Sequence, residues 1–139
     1  MTEISTLAEK LRLKIITPEK LVFDGEVEEL VAPGQMGEFG VLPGHVPFLS
    51  VLFPGRLRFR TEESGENTLI IHGGLADVKD DTISILTDQS ENPEEVDVSA
   101  AKKDAEAFQK ELDELQDAEP SQREELDKKL RIARARAGE

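Results

Sequence analysis

Apolar residues along this chain recur with two different periods, and the change falls near Glu95. Before it they alternate: Leu11, Leu13 and Ile15 against Arg12 and Lys14, then Leu57 and Phe59 between Arg56, Arg58 and Arg60. Successive side chains of a strand point to opposite faces, so this alternation predicts half-buried strands. Leu69 to Ile71, Ala76 with Val78, and Ile83 with Ile85 extend the series. Asp24-Gly25, Pro54-Gly55, Ser64-Gly65-Glu66-Asn67, Gly73-Gly74 and Lys79-Asp80-Asp81 read as the turns that bound them. Val27, Leu30 and Ala32 break strict alternation, which predicts a bulge, because the flanking turns leave no room for three helical turns. Many short, closely spaced strands predict an all-β sandwich or flattened barrel over residues 11–88.

After Glu95 the alternation is gone. Val98, Ala101, Ala105, Phe108, Leu112 and Leu115 recur at steps of three and four, the seam of an amphipathic helix. Leu126, Leu130, Ala133 and Ala137, with Ile132 beside them, repeat the spacing. Between the two runs, Pro120 is expected to stop the first helix, and Ser121 with Glu124 has the spacing of a capping box. Asp97 or Ser99 serves as a cap for the first helix. The organisation predicted is therefore an N-terminal β-sandwich, residues 1–95, followed by a C-terminal antiparallel α-helical hairpin, residues 96–139.

Charge narrows the partners. The 139 residues carry a formal net charge of -13, the opposite of the basic footprint that nucleic acid or an anionic lipid surface attracts. With no cysteine the chain forms no disulfide and offers no thiolate to a metal or a substrate. The only aromatic residues are six Phe, which leaves few stacking platforms for single-stranded nucleic acid. Met1 to Lys10 lacks the apolar core of a secretory signal, and no stretch approaches the ~20 apolar residues that span a bilayer. A soluble chain without direct membrane insertion is expected.

Candidate catalytic chemistry is thin. His45 and His72 stand far apart and in no metal-ligand spacing, and neighbouring carboxylates such as Glu28 and Glu29 or Glu62 and Glu63 face opposite ways on a strand. Gly34, Gly37 and Gly40 lack the spacing of a dinucleotide fingerprint and read as loop geometry. No catalytic residue, metal or cofactor is expected. One charge pattern stands out: Lys128, Lys129, Arg131, Arg134 and Arg136 make a basic tip on an acidic protein. Cations there complement the helix dipole, and Glu124–Lys128, Glu125–Lys129 and Asp127–Arg131 are favourable pairs of ~0.3–0.5 kcal/mol each. Arg134 and Arg136 lie beyond any acid on their own helix face, which leaves them for an acidic protein partner. An adaptor module that grips a client between sandwich and hairpin is also compatible with the pattern.

Residues 33–50 read PGQMGEFGVLPGHVPFLS; ITPEKLVFDGEVEELV (16–31) precedes them and IHGGLADVKDDTISILTD (71–88) follows. In this order the three segments resemble the ATP synthase epsilon family almost end to end. The resemblance implies a non-catalytic rotor-stalk subunit of a proton-translocating F-type ATP synthase, held peripherally on the cytoplasmic face of the cell membrane. Its sandwich would grip the gamma subunit and rest on the c-ring, with Glu38 and His45 as interface candidates in the GxxGExGxLPGH loop. A loop-packing role serves His45 equally well. The hairpin would fold against the sandwich or extend toward the beta and alpha subunits, where Lys128, Lys129, Arg131, Arg134 and Arg136 would meet acidic loops and restrain hydrolysis. Relatives that bind ATP do so through Ile/Leu-Asp-x-x-Arg-Ala; here Asp97 is kept and Ala100 replaces the arginine, so ATP binding is expected to be weak or absent.

Overall fold

The computed structural model describes residues 10–139. The segment Met1–Lys10, read above as free of a secretory core, falls outside the described residues except for its last member. Eight strands come first: β1 (Leu11–Ile16), β2 (Leu21–Val27), β3 (Glu29–Gly34), β4 (Gly37–Val41), β5 (Phe48–Thr61), β6 (Gly65–Lys79), β7 (Thr82–Leu86) and the two-residue β8 (Ser90–Glu91). A single 3₁₀ turn, Pro93–Glu95, then leads into helices α1 (Val98–Glu114) and α2 (Pro120–Ala137). Strand order is β2-β1-β7-β6-β5-β3-β4, with β8 on β6, and among the described residues only the β1–β7 pairing is parallel.

The predicted alternation is what fills the core. Leu11, Leu13, Ile15, Leu57, Ile83 and Ile85 are all at most 1% exposed, and full burial of such a side chain contributes about 1.5–3 kcal/mol each. The intervening polar residues lie on the opposite face, where Arg12 Nε donates to Asp24 Oδ1 across the β1–β2 ladder at 2.7 Å.

Three predicted turns are not turns. Asp24-Gly25 lies inside β2, where Gly25 pairs with Leu13 and the Phe23 ring occupies the space beside its Cα. Pro54-Gly55 and Gly73-Gly74 lie inside β5 and β6, two strands of 14 and 15 residues that run antiparallel along their length. The ladder pairs Leu52 with Gly74 and Pro54 with His72, and skips the pair between. Pro54 has no N–H to donate, and Gly73 and Gly74 hold φ of 94° and 142°, so these residues relax the ladder without ending it. Gly74 is obligatory for a second reason: a Cβ would stand 1.9 Å from the Leu86 carbonyl oxygen. Real turns form at Thr17–Lys20, where Thr17 N–H donates to the Lys20 carbonyl, after Thr61, and at Asp80-Asp81, both with positive φ. The predicted bulge is a corner. Glu28 separates β2 from β3, so Val27 pairs with Leu11 while Leu30 pairs with Phe59, and all are buried.

The helical hairpin forms as the seams require, with corrected ends. Asp97 Oδ1 accepts the Ala100 N–H at 3.0 Å and caps α1. Helix α1 ends at Glu114, before the proline, and Pro120 opens α2 at its first position, where no N–H is needed. The cap of α2 is Glu119, whose N–H donates to Gln122 Oε1 at 3.3 Å, two residues ahead of the Ser121–Glu124 box. Ala105, Leu130 and Ala133 are buried between the helices with Phe108 and Leu112 against them, whereas Val98 is 42% exposed.

Candidate functional site

At one end of the sandwich, Gly34 pairs with Gly37 around the Gln35-Met36 turn, so the glycine run builds a β3–β4 hairpin. Glu38 follows on β4, where its carboxylate receives the Arg58 guanidinium of β5 at 3.3 Å and stays exposed. His45 sits in the loop before β5, its Nδ1–H donating to the Val46 carbonyl at 2.9 Å and its ring 4.9 Å from the ring of Phe48. Phe48 also packs edge-on against Phe39, 5.3 Å away, so one aromatic ties His45 to the strand that carries Glu38. Around them Met36, Leu42, Val46 and Leu49 present apolar side chains to solvent.

That apolar surface continues as a row across the sheet. Val51 of β5 pairs with Leu75 of β6, and Leu75 pairs with Leu86 of β7, so the three share one face. They are 48%, 37% and 49% exposed, while Leu52, Ala76 and Ile85 on the other face are buried. Contiguous exposed apolar surface of this kind marks an interaction site. Strict alternation, with one apolar parity per strand, does not reveal this row. Apolar residues on both parities, as in Val51-Leu52 and Leu75-Ala76, were the available signal.

The basic helix lies folded back, with α2 packed on β5 and β6. This overturns the reading of Arg136 as unpaired, while Arg134 finds no acid among the described residues. Arg136 forks onto Glu91 of β8, Nε to Oε2 and Nη2 to Oε1, both at 2.8 Å. Arg134 donates to Gln109 Oε1 on α1. Of the three helical pairs expected, Asp127–Arg131 forms at 2.7 Å, and neither Glu124–Lys128 nor Glu125–Lys129 closes among the described residues. Arg131 also stacks over the Phe53 ring, 4.4 Å from its centroid. Lys128 and Lys129 point to solvent.

Glu91 is the hub of this docking. His72 Nε2 lies 2.8 Å from its Oε2 and, facing a carboxylate that only accepts, must donate. Burial pushes the Glu91 carboxyl up, but the bonds from Arg136 and His72 outweigh it and hold the group below its usual 4.5. The same pairing raises the Arg136 guanidinium. A second clasp comes from Arg56 of β5, whose Nε donates to the Ala135 carbonyl at 2.7 Å. The Ala135 carbonyl also accepts the Gly138 N–H at the helix C-cap, so Arg56 adds a second donor to an oxygen at the helix end. Neither Glu91 nor Arg56 carries a sequence signal, since their partners lie 45 and 79 residues away. Among the described residues no cluster of His, Asp or Glu suits a metal, and no helix is long and apolar enough to cross a membrane.

Similarity to known proteins follows the same outline. The sequence profile of the family "ATP synthase, Delta/Epsilon chain, beta-sandwich domain" matches residues 10–93. The ATP synthase epsilon chain of Syntrophobacter fumaroxidans is 46% identical over 111 residues, 80% of this chain and 82% of its own length. That of Leptospira borgpetersenii is 45% identical over 96 residues, 69% of this chain and 75% of its own. Among solved structures, a chain of the Euglena gracilis mitochondrial ATP synthase, OSCP/F1/c-ring, superposes with TM-score 0.79 at 23% identity, covering 94% of this chain and 81% of that one. A chain of the Tetrahymena thermophila mitochondrial ATP synthase central stalk and c-ring gives 0.60 at 22% identity, covering 95% and 99%. At these identities the structural likeness bears on the fold, helices included. Profile, relatives and fold agree with the three sequence segments, and the chain belongs to the ATP synthase epsilon family.

Proposed function

We propose that this chain, a non-catalytic central-stalk subunit of an F-type ATP synthase, seats its sandwich on the gamma subunit through the row Val51–Leu75–Leu86 and rests on the c-ring at the end carrying Glu38 and His45. The observation that carries the reading is that row: an outward apolar strip on a chain of net charge -13 needs a protein cover. Peripheral attachment at the cytoplasmic face of the membrane follows from such contacts. The division into a coupling unit, residues 1–95, and a regulatory unit, residues 96–139, belongs to the same proposal. The hairpin is read as a two-state element. Released, it carries Lys128, Lys129, Arg131, Arg134 and Arg136 toward acidic loops of the beta subunits and restrains hydrolysis; folded back, as here, it leaves rotation free. Asp97 is engaged as a helix cap and Ala100 offers no guanidinium, so ATP holds the folded state weakly or not at all.

Deletion of residues 97–139, followed by assay of membrane ATPase, tests the restraint. Hydrolysis is expected to rise with proton coupling retained. Unchanged hydrolysis would leave the hairpin without this role.

A further inference from the structure

Two hydrophobic clusters exist among the described residues and they do not merge. One fills the sandwich, from Leu11 to Ile85; the other, Ala105, Leu130 and Ala133 with Phe108 and Leu112, lies between the helices. At the seam where hairpin meets sheet, buried Ile70 of β6 and Ala135 and Ala137 of α2 belong to neither cluster and Arg131 stacks over Phe53, so a thin apolar contact is joined there by directional polar ones. The polar contacts between the two gather at the C-terminal end of α2, in the Arg136–Glu91 fork and the Arg56 clasp on Ala135, while the His72–Glu91 bond lies within the sandwich and holds the acceptor in place. Glu91 is 19% and Arg136 34% exposed at the side chain, dry enough for a bidentate guanidinium–carboxylate pair to outlast water competition and wet enough for it to open.

We propose that the Arg136–Glu91 fork is the lock that sets how often the hairpin leaves the sandwich, with Glu91 standing in for the partner carboxylate that Arg136 would otherwise bind. The Nε–Nη2 edge of Arg136 is spent on Glu91, so the same edge cannot hold an acidic loop while the hairpin is docked. Docking and engagement are then mutually exclusive through one side chain, and their balance is set by differential affinity with no added ligand. His72 orients the acceptor, and Arg56 registers the helix end over β5. The effect of the lock on hydrolysis rests on the restraint proposed above; the lock itself does not.

The chain has no cysteine, so spin labels at Glu63→Cys and Glu111→Cys, both exposed, report the sandwich-to-hairpin distance in the full chain. Glu91→Gln and Arg136→Gln are each expected to shift the open-to-docked ratio by about tenfold, and the double variant no further, since either change removes the whole fork. Arg136→Lys, which keeps the charge and loses the fork, should open the hairpin nearly as far. The melting of the sandwich core, followed in parallel, is expected to stay constant and shows that the variants fold. Distances unchanged in Glu91→Gln and Arg136→Gln would overturn the lock whatever the ATPase does. Opening accompanied by unchanged membrane hydrolysis would uphold the lock and count against the restraint.

Discussion

Glu91 shows what a single residue can hide from sequence reading. It follows a short run of polar residues, and nothing local marks it as the acceptor for an arginine 45 residues away. Asp97 is the opposite case: a short polar acceptor just before a helical seam, read as a cap and found as one at 3.0 Å. Local hydrogen bonds are legible because the spacing of the chain dictates them, whereas long-range ion pairs depend on how two units meet. The pH dependence of docking follows from Glu91. Against the burial that raises it, Arg136 lowers the Glu91 carboxyl in the docked state, so the stabilisation from this pair is complete above the undocked value and is lost as pH falls through the lower docked one. The charged groups around it are His72 of β6 and Arg136 of α2, with Asp104 of α1 acting on Arg136. The label distance should therefore hold at neutral pH and lengthen only on acidification through the carboxylate range, ~4. Glu91→Gln should remove that acid step.

Elements were legible in kind and less so at their joints. The alternating runs became strands and the three-four seams became helices, because burying one face is the same demand in sequence and in space. Pro54, Gly55, Gly73 and Gly74 misled because the residues that make turns also let long strands change course. Only the pairing of β5 with β6 along their length tells the two apart. At the helix ends, Pro120 marked the start of α2 instead of the stop of α1. The α1 cap gives a prediction at this scale. Asp97→Ala should cost the hairpin about 1 kcal/mol, read as lost helicity or a lower melting point of the helical signal, while Asp97→Asn should be nearly neutral. An equal loss in both variants would mean that the charge of Asp97, beyond its cap, is what the hairpin needs.

For the whole molecule, the two-part plan was readable and the relation between the parts was not. Neither period says whether a hairpin lies on its sandwich, and Arg136 read as free because its acceptor, Glu91, belongs to the other unit. The apolar row across β5, β6 and β7 was equally invisible, since it exists only once three strands are in register. On the proposals above, these features make a rotor subunit with one face for gamma, one end for the ring and a helical arm latched by the Arg136–Glu91 fork. The measurement that bears most directly on this account is recovery of the tagged full chain from detergent-solubilised membranes. Gamma, alpha, beta and c subunits should come with it in fixed proportion. Recovery of unrelated client proteins in their place would contradict a stalk function and favour the adaptor reading.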